Sequence, residues 1–287
     1  MKLLLVALLA LAVAACGRGD WPEPAPAIWR VSGPEAGQTG WLFGTIHALP
    51  DGVQWRSPQV GDALSASDVL VVEVATLGDA EEAGDVLARR AHSPGMPPLL
   101  QRVPAADRPA LAAALARAGL AEPDLAGLES WAAALTLANA SRGGDTANGV
   151  DRALLAERVT GNRAVIGLES MDEQLGLFDT LPETAQQRLL MEVARDPGGE
   201  AEAARTRAWL EGDLAKLEAD AAGGLLADPV LRETLQTGRN RAWAGTIDRL
   251  LQDGRRPFVA VGAAHMVGPE GLPALLAARG YRVTRLR

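Results

Sequence analysis

Lysine, ordinarily among the commonest residues, occurs only twice in these 287 positions, at Lys2 and Lys216, and arginine supplies the rest of the 28 basic residues. The arginines are scattered along the chain, as codon bias rather than phosphate chemistry would place them. They are also outnumbered by 36 acidic residues, which leaves a formal charge of −8. A nucleic-acid binder needs a concentrated positive face, and that class is set aside. Cysteine occurs once, at Cys16, so a disulfide framework and a thiolate metal site are both excluded. Aromatic residues make up 4% of the chain, and seven of the eleven are Trp. What the chain has in quantity is apolar, 48% against 22% charged. It can therefore bury a core and is not disordered, and its length suits one large domain or two small ones.

The N-terminus reads as an address. Met1-Lys2 precedes an unbroken apolar run of thirteen residues, Leu3 to Ala15. That is short of the roughly 20 needed to span a bilayer, but it suits the apolar region of a secretory signal. Ala14-Ala15-Cys16 resembles the lipobox of bacterial lipoproteins, in which the thiol is lipidated and cleavage leaves the cysteine first. The alternative is an ordinary signal peptide with a chance cysteine. Residues 1–15 are thus expected to be a leader and the mature chain Cys16–Arg287, with formal charge −9 because Lys2 leaves and no acid does. Residues 17–27, rich in Gly and Pro, make 16–27 an expected extended tether and 28–287 the domain. Gly17 after the cysteine, by the same resemblance, favours the outer membrane, on its periplasmic side.

Beyond the tether, Ile28–Val31 and Trp41–Ile46 are short β-type runs separated by the Gly/Pro-rich Ser32–Gly40, which predicts a hairpin. Pro58–Ala66 reads as a helix and Asp68–Val74 as a strand covered on both faces. Leu and Ala recur at helical spacing over Ala80–Ala91, Ala105–Ala118, Ser130–Asn139 and Gly149–Val159, with a loop at Arg142–Asn148. Asn162–Gly167 reads as another buried strand. Residues 171–252 are almost wholly helical in pattern, punctuated by Pro182, Pro197 and Pro229. Strand Pro257–Val261, helix Glu270–Ala278 and strand Tyr281–Leu286 close the chain. The expected fold class is therefore α/β, in the α+β sense: a mixed sheet built from N- and C-terminal strand units, with a large helical insertion.

Two of these strands end alike. Leu42-Phe43-Gly44-Thr45-Ile46-His47 and Val259-Ala260-Val261-Gly262-Ala263-Ala264-His265 each run from apolar strand to glycine to histidine, and they hold two of the chain's three histidines. Glycine at a strand end lets the backbone turn or approach a ligand, and a histidine just beyond points into the crevice where α/β folds place ligands. His92, in Ala-His-Ser-Pro-Gly, reads as a solvated loop residue. Glu73 is the only acid within the apolar run Val69–Ala75, and a carboxylate there costs several kcal/mol unless it is paired or bound to a metal. Glu169 follows the strand over 162–167. For both acids a salt bridge or helix cap is the competing reading. Two imidazoles and one or two carboxylates at strand ends make a divalent-metal site conceivable, and nitrogen and oxygen donors without sulfur fit Mn, Co, Zn or Fe. HExxH, Gly-x-Ser-x-Gly and phosphate-loop signatures are all missing, which excludes a thermolysin-like protease and the corresponding hydrolase and nucleotide sites.

These residues resemble a known family. Trp41–Pro50 is similar to the opening signature of the TraB/PrgY/GumN family. Val72-Glu73, Gly149-Val150-Asp151, Gly167-Leu168-Glu169-Ser170, Glu173-Gln174 and the stretch Phe258–Tyr281 follow in its order. The resemblance spans roughly 28–287. It implies the erythromycin-esterase/ChaN-like fold and a likeness to the Tiki metalloproteases. By position, His47, His265 and Glu73 become the implied metal ligands, with Mn or Co preferred, and Glu169 a further catalytic residue. The family's Glu-Arg-Asn is here Gly238-Arg239-Asn240, so Arg239 and Asn240 match and the glutamate is lost.

The leading expectation is a lipid-anchored, metal-dependent hydrolase acting on a peptide. In it Glu169 is the general base and Arg239 steadies an oxyanion or a substrate carboxylate. The alternatives are a non-catalytic peptide- or haem-binding lipoprotein of the same fold, supported by the acid missing at Gly238, and an accessory factor for surface polysaccharide.

Overall fold

β-branched and aromatic residues in short runs build the six strands of one mixed sheet: β1 (Ile28–Ser32), β2 (Thr39–Thr45), β3 (Val69–Val74), β4 (Ala164–Glu169), β5 (Pro257–Gly262) and β6 (Arg282–Arg285). The computed structural model describes residues 21–287 apart from Ala36, Asn162, Arg163 and Pro197. Cys16 and the apolar leader lie outside the described residues, as do Pro197 and the first two positions of the strand expected over 162–167. Spatial order is β4-β3-β5-β2-β1-β6. β2, β3, β4 and β5 all run parallel, and β1 is antiparallel to both β2 and β6. The expected hairpin is present, with Ile28 opposite Phe43 and Ser32 opposite Thr39.

Alternation along the strands feeds two apolar layers. Phe43, Leu70, Val72, Phe258 and Ala260 pack with Trp209 and Leu154 on one face. Leu42, Val69, Val71, Val259 and Val261 pack with Trp243, Ile247 and Leu272 on the other. With both faces covered, the central strands read as continuous apolar runs. A third core around Trp131, Leu189 and Leu190 lies mainly among helices and takes in Val74 at the end of β3; these helices fill the stretches between β3 and β4 and between β4 and β5.

One expectation needs correction, and the structure adds to two others. β4 is half-exposed rather than buried, because it is the edge strand and pairs only with β3. Prolines are not the only punctuation after residue 171. Helices Gly199–Leu210 and Leu214–Ala222 are separated at Gly212, whose φ of +63° few other residues tolerate. The end of the tether is also packed: Ala25 N–H donates to Leu210 O at 2.7 Å, Ala27 is buried, and the Arg207 guanidinium sits 4.8 Å from the Trp21 ring centre.

Candidate functional site

Because β2, β3, β4 and β5 are parallel, their C-terminal ends share one edge of the sheet, where open α/β sheets place ligands. Thr45 pairs with Gly262 and Val74 with Glu169, so the residues just beyond those positions converge.

The His47 side is held by the segment leading into the helix Val150–Thr160. Val150 N–H donates to Ile46 O at 3.0 Å, and Leu49 and Asp145 exchange both backbone hydrogen bonds. Gly149 permits the approach, since a Cβ there would lie 2.4 Å from His47 O. Asp151, 4% exposed, is thereby brought beneath the histidine. Its Oδ1 accepts from Thr45 Oγ1 at 2.6 Å, and its Oδ2 lies 2.8 Å from His47 Nδ1. With Nδ1–H donating to the carboxylate, the unprotonated nitrogen of a neutral His47 is Nε2.

At the centre is Glu73. Its Oε1 accepts from Gly262 N–H at 2.8 Å, and its Oε2 from Arg239 at 2.8 Å and Gln174 Nε2 at 3.0 Å. A Cβ built on Gly262 would lie 3.3 Å from Glu73 Oε1, 3.7 Å from His265 Cδ2 and 3.8 Å from His47 Nε2. The two histidines and the buried glutamate thus meet around one glycine.

His265 lies behind them, 6% exposed and packed on the Trp243 indole with ring centres 4.5 Å apart. Asn240 Nδ2 donates to Glu270 O at 2.7 Å, so its Oδ1 faces His265 Nδ1 at 2.6 Å. That fixes the proton on Nδ1 and leaves Nε2 as acceptor, here facing Arg239 at 3.4 Å. Arg239 and Asn240 follow closely on a π-helical turn, Glu233–Thr237, that interrupts otherwise α-helical backbone before Gly238–Gln252. Such turns are frequent at functional sites. A Cβ at position 238 would lie 2.8 Å from Glu233 O, so the wide turn and Gly238 fit one another. Glu169 accepts from Arg239 Nε and from Trp243 Nε1, and the Arg239 guanidinium lies over that indole at 4.4 Å.

Electrostatics follow from this packing. Burial and the neighbouring cations drive the His265 pKa down to about 4, with the Glu73 charge opposing them, so the ring is neutral. Burial alone would raise the Glu73 pKa, but the positive groups around it and Gly262 N–H bring it down to about 2. The His47 side chain is 57% exposed, and the partial desolvation of its ring is outweighed: the Asp151 hydrogen bond and the charges of Asp151 and Glu73 raise the pKa to about 9, so a metal bound at Nε2 would displace a proton. Arg239 is raised too, its burial outweighed by Glu169 and Glu73.

A cavity of about 320 Å³ opens onto His47, Glu73, Asp151 and Gln174 between apolar walls that include Leu77 and Leu155. Of the expected site residues, His47 and Glu73 line it, whereas His265, Arg239, Asn240 and Glu169 stand behind it. His92 is exposed and pairs with Leu128 away from the site. Sequence reasoning did not assign Asp151, Gln174 or Trp243 to the site. Asp151 and Gln174 lie in the quoted motifs Gly149-Val150-Asp151 and Glu173-Gln174, and that was the available signal. Among the described residues, no three His, Cys, Asp or Glu side chains are drawn together closely enough to enclose an ion as they stand. The donor chemistry nevertheless fits one. Each imidazole has its Nδ1 anchored by an oxygen acceptor, as metal-binding histidines almost always do, with Nε2 left on the side of Glu73.

The family model described as TraB/PrgY/gumN matches residues 27–285. Neither a curated protein nor a solved structure matches the chain.

Proposed function

The chain belongs to the TraB/PrgY/gumN family, and on that premise we propose that it is a lipid-anchored, metal-dependent hydrolase acting on a peptide at the periplasmic side of a bacterial membrane. One observation carries the reading: the two histidines that end β2 and β5 have Nδ1 tied down by Asp151 and Asn240 on either side of an ionised Glu73. His47 Nε2, His265 Nε2 and the Glu73 carboxylate would hold a divalent ion, Mn, Co or Zn, with Arg239 giving up its 3.4 Å contact to His265. Such an ion, when bound, supplies polarisation of a carbonyl and acidifies a bound water.

The remaining residues set up that site. Asp151 and Asn240 fix the imidazole tautomers. Arg239 fixes Glu73, and Glu169 with Trp243 fixes Arg239. Glu73, with its pKa near 2, suits a ligand better than a proton acceptor. Glu169 is engaged by Arg239 and Trp243 outside the cavity, so its role in this reading is to position. Arg239 contacts Glu73, Glu169, Leu235 O and His265 and is not among the residues that line the cavity. Cys16 would carry the lipid. Among the described residues no helix is long and apolar enough to cross a membrane.

A second reading, a peptide-binding protein without turnover, is favoured by the state of the carboxylates. Glu73, Asp151 and Glu169 all accept hydrogen bonds from the protein itself. Metal content by plasma mass spectrometry, followed by a peptide-cleavage screen, separates the two. His47→Ala, His265→Ala and Glu73→Gln should lose the ion, while Glu169→Gln keeps it. Unchanged metal content in His47→Ala or His265→Ala sinks the ligand assignment. A metal-bound wild type that cleaves no peptide in the screen favours the binding protein.

A further inference from the structure

Of the charges that line the cavity, the two carboxylates are engaged by the protein and the two guanidinium groups are not. Glu73 is held by Arg239 and Gly262 N–H, and Asp151 by Thr45 and His47. Arg142 and Arg152, which also line it, have no hydrogen bond or ion pair to any described residue. Arg56, Arg90, Arg188, Arg195 and Arg205 each pair with an acid, whereas Arg142 and Arg152 both lie on one cavity beside His47 and Glu73. In a chain where acids exceed bases by eight, two unpaired guanidinium groups at one cavity are not explained by a shortage of partners.

Their placement adds to the argument. Arg152 is in the first turn of the helix Val150–Thr160, where the helix dipole opposes a cation and favours an anion. Arg142 is in the loop after the helix Ser130–Ala140, near enough for its charge to be felt at His47. Leu77 and Leu155 supply an apolar wall. The cavity therefore offers anion-attracting groups and an apolar wall together with His47 and Glu73.

Resting on the reading above for the placement of the reacting bond, we infer that Arg142 and Arg152 receive a carboxylate of the peptide, so that the site selects anionic peptides. A guanidinium takes a carboxylate in forked geometry, and two such donors hold it more strongly than one. The carboxylate has two sources, a peptide C-terminus or an acidic side chain, and the probes distinguish them.

The test is isothermal titration of the full chain with three acetylated peptides: pentaalanine with a free C-terminus, its amide, and amidated Ala-Ala-Glu-Ala-Ala. At low salt, at least one carboxylate-bearing peptide should bind about tenfold more tightly than the uncharged amide, the scale of one charge-assisted contact. The preferred peptide identifies the source. The preference should shrink as salt is raised from about 20 to about 300 mM. It should vanish in the Arg142→Ala/Arg152→Ala double variant and persist in part in the double lysine variant. No preference in the wild type, a preference that survives in the double alanine variant, or no binding of any of the three peptides overturns the inference. Cleavage of the same peptides, followed by mass spectrometry, reports on the hydrolase reading alone. Preference without cleavage leaves the anion site standing, and cleavage without preference removes it.

Discussion

His47 Nδ1 lies 2.8 Å from Asp151 Oδ2, joining residues 104 positions apart. The same aspartate accepts from Thr45 Oγ1 at 2.6 Å, so one buried carboxylate grips the end of β2 at two points and aims the imidazole at Glu73.

Asp151→Asn keeps the shape of that grip and removes its charge. The His47 pKa should fall from about 9, because the Asp151 charge and hydrogen bond are what hold the imidazolium against its partial desolvation. Loss of such an outer partner typically lowers metal affinity about 10–100-fold. NMR titration of the His47 ring and calorimetry with Mn measure the two effects. An unmoved pKa would show that the aspartate does not set the imidazole.

Arg239 is about one-tenth exposed and holds Glu73 and Glu169, each also about one-tenth exposed. Arg239→Ala leaves buried charge without its partner and should cost about 3–5 kcal/mol. Arg241→Ala breaks pairs with Glu233 and Glu270 that are about half exposed, and should cost at most about 1 kcal/mol. Urea unfolding of both variants compares them, and equal losses would contradict the assignment of Arg239 as the buried keystone.

The pH dependence of the metal-free protein has two limbs. His265 is lowered from 6.5 to about 4, so its contribution is present above pH 6.5 and is lost as pH falls towards 4. Glu73, lowered from 4.5 to about 2, extends the acid loss below pH 4.5. His47 is raised from 6.5 to about 9, so its contribution is present below 6.5 and is lost as pH rises through 9. Thermal unfolding should therefore show falling stability on both sides of about pH 6.5. His265→Gln should flatten the acid limb between 6.5 and 4. A variant with the wild-type slope there would place the titration elsewhere.

Two glycines should respond oppositely to alanine. At Gly149 a Cβ would come within 2.4 Å of His47 O, so Gly149→Ala must displace the histidine backbone, destabilising the fold and weakening metal binding. At Gly61, within the helix Pro58–Ala66, a Cβ meets nothing within 4 Å. Gly61→Ala should stabilise by about 0.5–1 kcal/mol. Melting temperatures of the pair test the contrast.

If Cys16 carries the anchor, Cys16→Ser should move from the membrane to the soluble fraction without altering the melting temperature of the domain. A variant that stays membrane-bound, or a wild type found soluble, removes the lipoprotein proposal.

The hydrophobic pattern by itself determined most of the scaffold. Alternating or continuous apolar runs located β1, β2, β3, β5 and β6 to within about two residues; for β2, β3 and β5 the reason is that strands covered on both faces leave little polar composition to confuse the period, whereas β6 is an exposed edge strand read from its β-type residues alone. It also marked His47, Glu73 and His265, because a polar group beside an apolar run is conspicuous. It misjudged β4 as buried, since edge position is a property of pairing order and not of the strand's own residues. Tertiary structure alone decided the rest. Sheet order β4-β3-β5-β2-β1-β6 brings together four strand ends that are far apart in the chain. The π turn at Glu233–Thr237 rotates Arg239 and Asn240 towards Glu73 and His265. Glu169 and Arg239, read from the chain as residues that would face substrate, were placed behind the cavity. Their charges meet there, and a buried ion pair forms wherever the fold brings its partners together, a distance no local sequence spacing encodes.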